Sequence, residues 1–378
     1  MHVLLRGHTH GGSEMPLLLI QGLEVMELQG TAGEMGYEHG RLMKDRIQLG
    51  LEQFVRRSQT LFEVPYQFLC AEARKLEKFI PPLYLEEMRA LSEASEVSFE
   101  EMLAINCMVD LDAIYMQRIM QCCNFVLGMP ATRDGLFLHG RNLDFPHGKV
   151  LNKMGIVVVR KPASGAVPTL GVSWVGFVGM LTGCNAAQLT VAEVGTPARD
   201  VSINGVPVTC LLRAGLERSS DPSDFCNFLR AAPRTAGFNI AVSDGKTEDA
   251  AAVEITSRLC ERRNARDGTL IVDNLCLCRK TSLNRLTYAA GALRYARMVQ
   301  LVHENYGRID AAVAMQFLKD KFDSVFRTST GHTYNSICND HTIHSVLFLP
   351  KIQRLYVSHS SSPAPAGPYH EVDVSKLW

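Results

Sequence analysis

The stretch CCNFVLGMPATRDGLFLHGRNLDF, residues 122–145, decides how the rest of the chain is read. NFVLGM and GLFLHGRNL read as two strands of a hairpin, with a turn at Asp134-Gly135. Two adjacent thiols, Cys122 and Cys123, open the first strand, and Arg141 and Asp144 close the second. Side chains alternate across a strand, so Arg141 and Leu143 face one side and Asn142 and Asp144 the other. A bend past the strand's end would let Arg141 and Asp144 converge on one point. A guanidinium and a carboxylate there hold an amine or tune a thiol. A surface ion pair closing a hairpin is the plainer reading of the same residues.

Around this hairpin the texture divides in two. Upstream, residues 31–62 carry helical-period apolar positions at Leu42, Ile47, Leu49, Leu51, Phe54 and Val55, so the first third reads helical. Pro81-Pro82 punctuates the next segment. Ser98 with Glu101 three residues on is a capping box that starts a helix near Ser98. Downstream, GIVVVRKP, TLGVSWVGFVGML, QLTVAEVG, FNIAVSDG, AAAVEITSRL and TLIVDNLCL read as strands. Two helical inserts interrupt them, GVPVTCLLRAGLERSS and DPSDFCNFLRAA, the second with Asp221 as N-cap and Pro222 behind it. RIDAAVAMQFLKDKF reads as a helix capped by Asp310. HSVLFLP and KIQRLYVSHS read as closing strands, and SSSPAPAGP as a linker-like tail. Strands interrupted by paired helices predict a layered α+β domain.

Composition bounds the function. The chain has 378 residues, 46% hydrophobic and 21% charged, enough for a large core. Lys+Arg and Asp+Glu are both 39, and no basic stripe appears, so nucleic acid is not an expected partner. No apolar run reaches the roughly 18 residues of a spanning helix. The patch from Met15 to Ile20 is too short, and its flank too little basic, for a secretory leader. Eleven cysteines without regular spacing read as free thiols, and the reducing cytoplasm is the expected compartment. His332, Cys338, His341 and His344 are spaced more tightly than common zinc sites and lack a second Cys pair, so no metal is expected. The histidines of His8 to His10 lie at the N-terminus and carry no expected role. Neither a G-x-G-x-x-G after a strand nor a Walker pattern occurs.

The same stretch resembles the self-cleavage region of N-terminal-nucleophile (Ntn) hydrolases. The branch is that of acyl-coenzyme A:6-aminopenicillanic acid acyltransferase, the choloylglycine hydrolases and acid ceramidase. In these a Cys begins a strand, a turn follows, and G-R-N-x-D ends the hairpin. Further likenesses follow in order along the chain. TAGEMGYEHGRLMKDRI is similar to the family's glycine-rich N-terminal helix. WVGFVGMLTGCNAAQLTVAE resembles its glycine-rich strand pair, and GVPVTCLLRAGLE the segment after it. LIVDNLCL, ALRYARMVQLV and SVLFLPKIQRLYVSHSSSP stand in the places of its Asn-bearing strand, its Ser-x-x-Arg helix and its closing hairpin. Departures are Cys184 for Met, Gln188 for Gly, Leu275 for His after Asn274, and Gly291 for the Ser.

The resemblance implies an αββα four-layer sandwich. A helical N-terminal segment, residues 1–121, would pack with a heavy-chain-like domain, 122–378, as one globular unit. It implies a precursor that cuts itself between Gln121 and Cys122, so that Cys122 gains a free α-amine as base beside its own thiol. Cys123 is the alternative nucleophile; the family pattern favours Cys122. By the same resemblance Asp144 accepts from the new amine, and Arg141 sits against the sulfur or the substrate carbonyl. Asn274 donates to the oxyanion. Arg294, Asn185, Phe125, Trp174 and Phe177 are the candidates for substrate contacts, Asn185 also reading as a turn builder. The implied activity is acyl transfer from a small amide, thioester or ester to water or an amine. No cofactor is expected beyond an acyl-CoA co-substrate, and a homo-oligomer is compatible with the family. Two rivals follow: a lipid-directed hydrolase, favoured by an apolar pocket at Phe125, Trp174 and Phe177, and an uncut binding protein.

Overall fold

Alternation in the hairpin sets the layers. Strand β3, Gln121–Leu127, pairs antiparallel with β4, Leu138–Asp144, with Cys122 opposite Leu143 and Asn124 opposite Arg141. Both strands are buried on both faces. One face, with Phe125 and Leu127, packs on the helices Ala289–Glu304 and Ala311–Leu318 through Met298, Val302, Ala314 and Phe317. The other face looks into the gap between two sheets, where Asn124 donates to the Ala192 carbonyl across the gap at 3.0 Å. The computed structural model describes residues 16–53, 65–116, 121–145, 148–286, 289–359 and 361–378. The expectations at Phe54, Val55 and His8 to His10 lie outside these residues.

The remaining strands are β1 Leu17–Ile20, β2 Leu23–Gly30, β5 Gly155–Pro162, β6 Thr169–Trp174, β7 Thr182–Asn185, β8 Leu189–Gly195, β9 Phe238–Asp244, β10 Ala250–Ile255, β11 Cys260–Asn264, β12 Thr269–Asp273, β13 Thr342–Leu349, β14 Arg354–Ser358 and β15 His370–Asp373. They form a large sheet in the order β1-β2-β5-β6-β7-β8-β9-β10-β11 and a small one in the order β12-β3-β4-β13-β14-β15. Leu23, Val25, Val157 and Val172 of the large sheet meet Val346, Phe348 and Val357 of the small one. Helices Ala32–Leu51, Val208–Leu216 and Pro222–Ala231 cover the large sheet's outer face. The architecture is therefore helix, sheet, sheet, helix, an α+β fold of αββα type. Among the described residues no helix is long and apolar enough to cross a membrane.

Local signals act as the residues dictate. Ser98 and Glu101 close a capping box on the helix Phe99–Leu111, Asp221 caps Pro222–Ala231, and Asp310 caps Ala311–Leu318. The N-terminal third is anchored by a buried charge network. Glu87 accepts from Arg160 Nε at 2.9 Å and from Arg213 Nη1 at 2.6 Å, and Arg213 Nε reaches Glu217 at 2.7 Å. All eleven cysteines are free thiols.

Four expectations need correction. The first third is not wholly helical: β1 and β2 form a hairpin on Gln21-Gly22, both left-handed, and β2 pairs in parallel with β5. An apolar patch too short for a leader is long enough for a strand, and Leu17–Ile20 forms one. The N-terminal segment thus supplies strands to the large sheet. The tail is not a linker: Ala364 and Pro365 are buried, and β15 adds to the small sheet. The turn at Asp134-Gly135 does have two left-handed residues, but it sits inside a longer loop between Leu127 and Leu138. Leu49, expected on the helix's apolar face, is exposed.

Candidate active site

The start of β3 lies where the ends of β4 and β12, the middle of β8 and the helix Ala289–Glu304 meet. Cys122 is fully buried and points into the gap between the sheets. Arg141, two residues before Leu143 on the facing strand, is on the same face, and its Nη2 donates to Cys122 Sγ at 3.3 Å. The other terminal nitrogen donates to the backbone carbonyl of Glu193 on β8. The Glu193 carboxyl stands 3.9 Å from Arg141 Nη2. Neither of its oxygens finds a hydrogen bond among the described residues. Burial pushes the Glu193 carboxyl up to about 8, with Arg141 pulling the other way. Burial likewise pushes the Cys122 thiol far up, and Arg141 draws it back.

The opposite face of the strand holds a second group. Gln121 pairs with Asp144 across the ladder. Asp144 accepts from Asn339 Nδ2 at 2.6 Å and from Thr342 Oγ1 at 2.7 Å, and burial raises its carboxyl to about 6. Arg294 is fully buried beside it. Its Nη1 donates to Gln121 Oε1 at 2.8 Å and to the Tyr334 carbonyl; its Nη2 donates to Asp273 at 3.0 Å and to Asn274 Oδ1. Asn274 Oδ1 also accepts the backbone N–H of Cys122 at 3.2 Å. Cys123 faces this side, where burial and the Asp273 carboxylate push its thiol well up. The two neighbouring thiols therefore differ: Cys122 meets a guanidinium, and Cys123 meets a carboxylate.

Cys122, Arg141, Asp144, Asn274 and Arg294 are thus gathered around the Gln121–Cys122 peptide bond. The expected convergence of Arg141 and Asp144 does not occur. The strand runs straight through Asp144, so alternation keeps them on opposite faces. Asn274 presents its amide oxygen to the Cys122 N–H. Two donors meet its Oδ1, which fixes the amide's orientation, and its Nδ2 donates to the Gly195 carbonyl. Gly291, standing for the family's Ser, lets the helix lie against Asn274; a Cβ there would come within 2.9 Å of it.

The other candidates lie elsewhere. Asn185 spends its side chain on a turn, donating to the Leu216 and Ser219 carbonyls and accepting from Ala187 and Leu189. Phe125 is packed on Phe317 in the outer layer. Trp174 and Phe177 pack on each other in a different cluster, Trp174 stacking on His344. The three aromatics therefore do not form one pocket, because β3 turns Phe125 away from the gap. His332 pairs with Asp340, His341 stacks on Tyr334, and His344 meets Thr182. Among the described residues no three His, Cys, Asp or Glu side chains are grouped to hold a metal. Glu193 escaped the sequence reading. QLTVAEVG reads as a plain buried strand, and its partner Arg141 comes from the other sheet with no spacing to betray it.

Residues 131–362 match the family model described as acyl-coenzyme A:6-aminopenicillanic acid acyl-transferase. That span takes in Arg141, Asp144, Glu193, Asn274 and Arg294, and begins C-terminal to Cys122. An Archaeoglobus fulgidus protein of unstated function is 25% identical over 60% of this chain and 42% of its own length. The N-acylethanolamine-hydrolyzing acid amidase of Oryctolagus cuniculus is 29% identical over 32% of this chain and 30% of its own. Among solved structures, the Caenorhabditis elegans ortholog of that amidase covers 61% of this chain and 93% of its own, at 16% identity and a TM-score of 0.45. The chain spans half or less of the length of these first curated relatives.

Proposed function

The chain belongs to the acyl-coenzyme A:6-aminopenicillanic acid acyl-transferase family, and from that premise we propose a self-cutting cysteine amidase that moves acyl groups from small N-acyl amides to water or an amine. The observation that carries the reading is the grip on one peptide bond. The Cys122 thiol is held by Arg141, the Cys122 N–H by Asn274, and the Gln121 side chain by Arg294. Attack by Cys122 Sγ on the Gln121 carbonyl forms a thioester and breaks the C–N bond. Water then frees the N-terminal piece and leaves Cys122 with an α-amine. That amine, near its ordinary pKa of about 8, serves as base for the thiol in later turnovers. Asp144, held by Asn339 and Thr342 and raised by burial to about 6, is the acceptor for the new amine. Glu193 stays protonated at neutral pH and leaves the Arg141 charge to the thiolate. The substrate class follows the activity that the rabbit relative's name states for that protein.

Intact mass and N-terminal sequencing test this. Two chains parted at Gln121/Cys122 are expected from the wild type and from Cys123→Ala, and one uncut, inactive chain from Cys122→Ala. Cutting that survives Cys122→Ala and stops in Cys123→Ala would transfer the role by one residue. A wild type that stays whole and inert to a thiol-directed acyl probe would leave a binding protein as the reading.

A further inference from the structure

In a chain that cuts itself, the first acyl group delivered to the thiol is the residue before the cut. Here that residue is Gln121, and its surroundings describe the acyl side of the site. We infer that the mature site selects acyl groups bearing a neutral carbonyl acceptor on the fifth carbon, a glutaramide-type acyl, over plain hydrocarbon chains; this rests on the self-cutting reading above.

Gln121 is 8% exposed, and its Oε1 accepts from Arg294 Nη1 at 2.8 Å. The same guanidinium reaches Asn274 Oδ1, which takes the Cys122 N–H at 3.2 Å. One cation therefore braces both ends of the bond to be broken. The chemistry balances without a further reactant. The Cys122 S–H adds to the Gln121 carbonyl and an S–C bond forms. The C–N bond breaks, and its electron pair and the thiol proton end on the Cys122 nitrogen. Water then cleaves the thioester. In that thioester Gln121 is the acyl group. A substrate acyl group forms the same bond on the same sulfur, and its chain continues along the path that Gln121 occupied. At the end of that path lies Arg294. A hydrocarbon there would leave a buried cationic donor one partner short, whereas a carboxamide or ester carbonyl replaces the Gln121 oxygen. Asp273, 3.0 Å from Arg294, already balances its charge, and Asp144 lies on the same face. A neutral acceptor fits this setting better than another carboxylate.

The test uses the full chain, with the cut form verified by intact mass. The p-nitroanilides of 4-carbamoylbutanoic acid, its apolar isostere 5-methylhexanoic acid, and hexadecanoic acid are compared by kcat/KM. The carbamoyl substrate should lead its isostere by roughly tenfold to a hundredfold, the range of a hydrogen bond to a charged group. A cut, active enzyme that takes either hydrocarbon equally well or better overturns this inference and leaves the amidase standing. A whole chain without turnover overturns both. The rate of self-cutting gives an independent reading. Gln121→Leu keeps the bulk and loses the acceptor, so it should cut about tenfold more slowly, and Gln121→Glu, which keeps an oxygen toward Arg294, should cut faster than Gln121→Leu. Equal rates for wild type and Gln121→Leu also overturn the inference.

Discussion

Replacing Glu193 with glutamine, in a Cys122→Ala background that on the proposed function stays uncut, isolates the buried carboxyl beside Arg141. The shape is kept and the titration is lost. In the folded chain burial raises Glu193 from 4.5 to about 8. Folding therefore favours its protonated form. The stability this group contributes is complete below about pH 4.5 and is lost as pH rises through about 8. Each pKa unit is worth about 1.4 kcal/mol, so between pH 5 and pH 8.5 the parent protein should lose about 4 kcal/mol that the Glu193→Gln variant keeps. Asp110 and Asp144, raised by burial to about 7 and about 6, drift in the same direction in both proteins, and the Asp110 charge, which helps raise Glu193, is part of the difference. Urea unfolding at a series of pH values reads this double difference directly. Curves that stay parallel within about 1 kcal/mol would refute the reasoning, because they would mean that Glu193 is ionised and paired with Arg141 throughout. On the proposed function the same titration should slow turnover: above about pH 8 an ionised Glu193 competes for Arg141 and draws its charge from the Cys122 sulfur.

Two further substitutions probe the frame that holds the site. Glu87→Ala strands the buried guanidinium of Arg160, leaves Arg213 with Glu217 as its one carboxylate, and should cost about 3–5 kcal/mol in urea unfolding; a loss under about 1 kcal/mol would mean that backbone carbonyls and Glu217 satisfy them. Gly140→Ala places a Cβ 2.1 Å from the Phe125 ring that lies over it. This overpacking should cost about 1–3 kcal/mol, and Phe125→Leu in the same chain should recover part of it, whereas additive losses would show that the two positions do not touch.

How much of this could be read from the residues depended on how local each signal was. Period-two alternation in the hairpin put Arg141 and Asp144 on opposite faces, and the structure keeps them there; only the bend that would reunite them is absent. The caps at Ser98, Asp221 and Asp310 were legible because each acts within three residues of itself. The pairing of β2 with β5 was not, because nothing in Leu23–Gly30 names a partner well over a hundred residues away. The same holds for Glu193, a glutamate in a strand whose meaning depends on Arg141 arriving from the other sheet. The aromatic pocket failed for the opposite reason. Phe125, Trp174 and Phe177 are all apolar and buried, and hydrophobicity alone does not tell one core layer from another.

On the proposed function, the uncut arrangement also gives a reason for the cut. Most of the strong groups in it already have an internal partner. Arg141 faces Glu193 and the thiol, Arg294 holds Gln121 and Asp273, and Asn274 holds the Cys122 N–H. Burial keeps the thiol protonated, so it can serve one attack on the bond held beside it, but repeated turnover waits until something admits water and a base. Breaking the Gln121–Cys122 bond would do both at once. It would turn an amide N–H, which can only donate, into an amine that can take the thiol proton. It would also free the Arg294 face from the side chain now filling it. On the proposed function, groups that satisfy one another in the precursor stabilise the fold and serve the single internal cut, and they turn over outside substrates only when one partner leaves. On this view Gln121 is a substrate and a plug together, and its side chain should govern how fast the enzyme is made as well as what it accepts.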